Sequence, residues 1–418
     1  MATRTRKKTL GVWIAATCAG VLAVGLAACA PTMNDNPARE DGPALDVRLP
    51  APNENGIVTA DQWEAVYPNE YATYQQNGEN TGGKEVSEDY PEIKVLWEGA
   101  SYAEAYHEPN GHTYALKDVS ETPRDPQLAS CLTCKSSEFI RMQSADPTLN
   151  KAPFDDILAQ VSEPISCADC HVDSPRDNGA VATRQFFIDN VGDAAAGLPA
   201  GAMSCGQCHN EYFFPGENKA ADNPWKSLAE ATPDAILANH NELGYVDHVN
   251  PRTGAEMIKV QHPEFETNYG GEMSPMAQRG YSCSDCHMAP SVDENGNEYK
   301  SHLWVSPLEN DDLIANDCAN CHADIKAEVA AIQEKTVERE HAVAARIEGL
   351  IDATEAAIAD GSLAGESLDA VRDLHRTAQF YWDFVMTENS EGAHNSELTE
   401  ETLDKAEAAV DEAMALIG

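Results

Sequence analysis

Five pairs of cysteines, each with two residues between partners, run through this 418-residue chain: Cys131/Cys134, Cys167/Cys170, Cys205/Cys208, Cys283/Cys286 and Cys318/Cys321. Four pairs are followed at once by a histidine, His171, His209, His287 and His322, and the first is followed by Lys135. Cys-x-x-Cys-His is the attachment pattern of c-type haem. Two thiols at that spacing each reach one vinyl group of a single porphyrin, and the adjacent imidazole swings beneath the ring to the iron. Zinc would need four protein ligands and so two motifs per ion, and disulfides are the other use of paired cysteines in an exported chain. The two remaining cysteines, Cys18 and Cys29, lie in the N-terminal segment, so the body has no spare thiol. Five covalent haems are the reading favoured by that repetition.

Lys135 marks where a reaction belongs. An iron with strong ligands on both faces only passes electrons, whereas one with an open face binds substrate. A lysine amine ligates only when deprotonated, so the metal must outcompete the proton for its lone pair. The alternative is that Lys135 points to solvent and another residue ligates.

Charge and the N-terminus bound the rest. Arg4, Arg6, Lys7 and Lys8 precede an apolar stretch from Leu10 to Ala28, which reads as an export signal. Leu26-Ala27-Ala28-Cys29 resembles a bacterial lipoprotein cleavage box, with Cys29 the acylated residue; an uncleaved membrane helix is the alternative. Either way the body sits outside the cytoplasmic membrane, tethered to it. The formal net charge is -42, from 28 Lys plus Arg against 70 Asp plus Glu. That surface repels nucleic acid. Mean hydropathy of -0.44 fits a globular body.

The chain resembles the pentahaem cytochrome c nitrite reductases, whose catalytic haem is held by Cys-x-x-Cys-Lys. The stretches that carry the resemblance are Pro109-Asn110-Gly111-His112-Thr113-Tyr114-Ala115, Cys-Gly-Gln-Cys-His-Asn-Glu-Tyr (205–212), Lys-Val-Gln-His-Pro-Glu (259–264) and Asp-Cys-His-Met (285–288). The resemblance implies six-electron reduction of nitrite to ammonium at the Lys135 haem, fed by the four others. Around the bound ligand it implies an arginine, Tyr212 and His262. Arg124 is the candidate arginine, with Arg141, Arg176 and Arg184 as alternatives. Arg124 and a protonated His262 would hold the anion, and His262 or Tyr212 would relay protons. A calcium ion is also implied, held by the side chains of Glu211 and Gln261 and the carbonyls of Tyr212 and Lys259. Ordinary polar packing is the competing account of those four residues.

Outside the motifs stand His107, His112, His240, His248, His262, His302, His341, His375 and His394. His112, His302 and His394 sit in contexts that resemble the family's distal ligands, and the others read as surface positions. The fourth distal ligand is the departure, because the segment between His262 and Cys283, where the family usually has a histidine, carries Met273 and Met276 instead. Met273 is expected as a thioether ligand, which raises a haem potential; His240, His248 or His341 is the alternative.

The fold expected is mainly α, a multihaem cytochrome c with a porphyrin-dominated core and long C-terminal helices. The boundaries read as a lipoprotein signal at 1–28, a linker at 29–56, a pentahaem catalytic region at 57–325 and a helical region at 326–418. Short helices are expected to flank each motif. Val343, Ile347, Leu350 and Ile351, then Leu368, Val371, Leu374 and Tyr381, then Leu403, Val410 and Leu416 predict three helices, broken at Gly361 and near Gly392. The resemblance implies a homodimer through these helices and a membrane-bound multihaem quinol dehydrogenase as electron donor. A passive multihaem carrier, or a reductase of the same build acting on hydroxylamine or sulfite, are the competing functions.

Overall fold

The computed structural model describes residues 50–79, 83–104, 106–107, 110–122, 126–171 and 179–418. The signal, Cys29, Arg124 and Arg176 lie outside them. Helices dominate, as expected. The described strands form two small antiparallel hairpins, His248–Val249 with Glu256–Met257 and Pro290–Val292 with Glu298–Lys300. Among the described residues no helix is long and apolar enough to cross a membrane.

The haem-motif region is built from short helical turns, and the sequence around each motif explains why. Ser166 and Ser282 cap the turns Cys167–Cys170 and Cys283–His287, and their backbone N–H groups each donate 2.8 Å to the carboxylate three residues on, Asp169 and Asp285. This reciprocal cap satisfies donors that a one-turn helix would otherwise leave bare. The third motif ends the helix Ala200–Gly206. There Gly206 lets the turn approach Phe265, whose Cδ2 would lie 2.4 Å from an added Cβ. A separate apolar cluster of Val119, Ala129, Leu132, Phe139, Phe154, Ile157 and Val161 seats the Lys135 motif. Asn53 and Asn55, at the end of the expected linker, dock on this unit by donating to Glu138 Oε1 at 2.7 and 3.0 Å.

The C-terminal helices are Ile325–Asp360, Glu366–Met386 and Ser396–Ile417. Asp324 caps the first, and Gly361, in the left-handed region at φ 78°, ends it. The fully buried Val343, Ile347, Leu350 and Ile351 form the apolar stripe that 3.6-residue periodicity predicts. Each such side chain contributes about 1.5–3 kcal/mol of burial. Trp382 Nε1 donates 2.9 Å to the carbonyl of Glu340, which together with the short 361–365 connection makes the first two helices antiparallel. Arg339 pairs with Glu400 and Asp404 while Arg346 pairs with Asp411, so the first and third run parallel. Leu416 departs from its expected role and is exposed.

Candidate functional site: a strip of residues laid across the third haem motif

Two sequence segments far apart in the chain are stitched together at the site. Gln261 N donates 2.6 Å to Glu211 Oε2, and Phe265 N donates 3.0 Å to the carbonyl of His209. The strip 259–266 therefore lies along 205–212. Its outer edge is held from the second C-terminal helix, where Asp383 accepts from the backbone N–H of Val260 at 2.8 Å and from Lys259 Nζ at 2.9 Å. The Lys259 ammonium also lies 5.7 Å over Trp97 and 5.5 Å over Tyr106, a cation–π cage.

The motifs themselves touch. The thiols of Cys134 and Cys208 are in contact, as are those of Cys205 and Cys283, and Cys286 lies within electrostatic reach of Cys318. Cys170 Sγ lies 4.0 Å from the carbonyl of Ser204. The motifs thus run first, third, fourth, fifth, with the second branching at the third. Arg184 sits at that junction, fully buried. It donates to the carbonyl of Thr133 at 3.0 Å and to the Asp169 carboxylate, tying the first motif to the second. A guanidinium spent in this way does not serve as the substrate-binding arginine. Arg141 is exposed on the helix Ser137–Ala145.

Cys318 and the eight cysteines of the first four motifs are free thiols, whereas Cys321 is disulfide-bonded.

The histidines fall into facing pairs. Ring centroids are 6.3 Å apart for His171 and His302, 6.0 Å for His112 and His209, and 6.1 Å for His287 and His394. About 6 Å is the separation two imidazoles keep when a metal stands between them with bonds of about 2 Å. The residues present therefore fit three haem irons ligated by two histidines each. His209 is also 6.1 Å from His262. Its Nδ1 edge faces Glu264 at 3.4 Å, in the same strip as His262, which leaves the Nε2 edge to His112.

His262 lies in the electrostatic neighbourhood of the Lys135 motif. Its Nδ1 has no hydrogen-bond partner. Burial, opposed by Glu264 and reinforced by Lys135, pushes its pKa down to about 4. That shift favours the neutral ring, whereas the sequence reading has it protonated. The Lys135 side chain lies within electrostatic reach of both His262 and His112. Tyr212 stands at the end of the third motif, edge-on to Phe214 at 5.6 Å.

Glu211 fits a hard cation. It is fully buried, its Oε1 accepts no hydrogen bond among the described residues and lies 3.9 Å from His240 Nε2, and burial raises its carboxyl well above the usual range. Gln261 Nε2 lies 3.0 Å from the Lys259 carbonyl, so three of the four expected groups are gathered at one place. Among the described residues no three His, Cys, Asp or Glu side chains cluster for a metal, and a set of one carboxylate, one amide and carbonyls does not require it.

Of the other histidines, His248 and His341 are hydrogen-bonded, while neither ring nitrogen of His240 has a hydrogen-bond partner among the described residues. His240 and His375 are fully buried, correcting the surface reading. His240 packs on Phe213 and Tyr245, His248 Nε2 bonds the carbonyl of Glu98 at 2.9 Å, and His341 pairs with Glu92 at 3.1 Å. His322 bonds Glu328 Oε2 through Nδ1 at 2.7 Å. Met273 and Met276 are 39% and 38% exposed.

Residues 59–418 match the sequence model of the family described as cytochrome c552. The chain belongs to the cytochrome c552 family. Its cofactor is c-type haem, with five attachment motifs. Among cytochromes c-552, those of Parabacteroides distasonis and Bacteroides fragilis are 29% and 30% identical over 363 and 356 residues. These matches span 80% and 78% of this chain and 71% and 70% of the relatives. Among solved structures, a cytochrome c nitrite reductase from Desulfovibrio desulfuricans, described with two calcium sites, has a similar fold. Its TM-score is 0.75, with 23% identity and 86% of each chain covered.

Asp383 and Glu388 escaped the sequence reading, as did the positioning roles of Glu264 and Arg184. The signal for Asp383 was a lone acid inside the apolar run Trp382-Asp383-Phe384-Val385; the other three had no such flag.

Proposed function

We propose that this cytochrome reduces nitrite to ammonium at the haem of Cys131/Cys134, with Lys135 as its axial ligand. One contrast carries the reading. Three histidine motifs have a second imidazole facing their own, whereas the Lys135 motif has in its electrostatic neighbourhood a half-buried imidazole, His262, whose buried Nδ1 has no hydrogen-bond partner among the described residues. The fold shared with a nitrite reductase supports it.

The balance is one nitrite, eight protons and six electrons to one ammonium and two waters. The haems, when bound, supply the electrons and an iron with an open face. Protons must reach each oxygen as its bond to nitrogen breaks. His262, neutral when the pocket is empty, gains basicity when an anion arrives beside it, so it takes a proton from water and returns it to the departing oxygen. Tyr212 offers a second hydroxyl donor, and Arg124 is the cation that binds the anion. A calcium ion on Glu211, Gln261 and the carbonyls of Tyr212 and Lys259 would fix Tyr212 and the His262 strip together. Met273 is proposed as the distal ligand of the Cys318/Cys321 haem, since His248 and His341 are hydrogen-bonded elsewhere and His240 is buried against Phe213 and Tyr245. The body is proposed to be extracytoplasmic and lipid-anchored at Cys29, a homodimer through its C-terminal helices, and reduced by a separate membrane-bound quinol dehydrogenase.

Purified protein with a chemical reductant should convert nitrite to ammonium, and its high-spin ferric absorption should shift when nitrite or cyanide is added. No ammonium and no shift would identify an electron carrier instead.

A further inference from the structure

We propose that two buried glutamates, Glu388 and Glu264, set the order of potentials along the haem chain by accepting the Nδ1 proton of axial histidines. They hold the haems of His287/His394 and His112/His209 below the haem of His171/His302.

His394 Nδ1 bonds Glu388 Oε1, and the other oxygen of Glu388 accepts from Ser390 Oγ. Glu388 is only 4% exposed. His209 Nδ1 lies 3.4 Å from Glu264 Oε1, an oxygen that also accepts from Asn389 Nδ2. The loop between the second and third C-terminal helices thus furnishes the ligand His394, its acceptor Glu388, and Asn389, which orients the acceptor of a neighbouring ligand. The haem of His171/His302 is built differently. His171 Nδ1 lies 2.9 Å from the carbonyl of Gly179, and His302 Nδ1 lies 2.9 Å from that of Lys300.

With iron at Nε2, Nδ1 carries the hydrogen. A carboxylate acceptor draws that proton more strongly than a neutral carbonyl, so the ring becomes a stronger donor and stabilises ferric over ferrous iron. A buried anion beside the ring adds to this, because little water screens it. His322 makes the same kind of bond to Glu328, but both partners are exposed, so solvent weakens the effect. This ordering concerns electron flow and stands whether or not nitrite is the substrate.

The test is a redox titration of the full chain with all haems attached, each haem assigned by electron paramagnetic resonance, for the wild type, Glu388→Gln and Glu264→Gln. Glutamine keeps the acceptor oxygen and the shape but removes the charge. Glu388→Gln should raise the midpoint of the His287/His394 haem, and Glu264→Gln that of the His112/His209 haem, with the His171/His302 haem unmoved. Midpoints that stay or fall in both variants overturn the assignment. Should neither variant take up haem, the wild type decides: the His171/His302 haem must titrate above the other two, and finding it below them overturns the ordering.

Discussion

Lys259 Nζ and the Asp383 carboxylate form a buried ion pair at 2.9 Å that fastens the strip carrying Gln261 and His262 to the second C-terminal helix. Removing one partner leaves the other charge buried and uncompensated, which costs about 3–5 kcal/mol. Asp383→Ala should therefore lower stability by roughly that amount in denaturant unfolding. Because Val260 loses its acceptor too, nitrite turnover should fall even where the protein remains folded.

His262→Ala removes the proposed proton relay and nothing that attaches haem. Ammonium formation should drop about 100- to 10,000-fold, while a pyridine haemochrome assay still returns five haems per chain. Near-normal turnover would remove His262 from the reaction.

Metal analysis should find calcium in purified protein and much less in Glu211→Gln. Glutamine fills the same space without a charge, so folding is expected to persist while the cation loses its one carboxylate. Equal calcium in both proteins would refute the site.

Glu340 provides a pH test away from the haems. Burial pushes its carboxyl up to about 8, from an ordinary 4.5, despite a 2.7 Å hydrogen bond from Tyr90. The folded state then binds a proton that the unfolded state has released, so this group favours folding below about pH 4.5 and loses that contribution as pH rises to about 8. Glu340→Gln should flatten that slope in unfolding experiments between pH 5 and pH 8.

Met273 ligation predicts a weak near-infrared sulfur-to-iron band in the ferric protein, lost in Met273→Ala. A band absent from the wild type would assign the Cys318/Cys321 haem to another ligand.

Much of the site was legible because covalent haem attachment demands a local pattern. Cysteine spacing, the lysine at 135 and the contexts of His112, His302 and His394 are all short-range signals, and the three ring pairs match them. The apolar stripe of the first C-terminal helix was legible for the same reason. The preference of His262 for the neutral ring was not, since burial comes from packing of distant segments. Nor were Glu264 and Glu388 legible, ordinary acids in a chain with 70 of them, until the fold set them against histidines.

The facing imidazoles also carry a consequence for biogenesis. As the chain is synthesised from its N-terminus, His112 exists before the motif it serves, so the iron beneath His209 can be capped as soon as its porphyrin is attached. The irons at His171 and His287 would wait for His302 and His394, ligands that follow their motifs in the chain, and until then their open faces would be accessible to any small ligand.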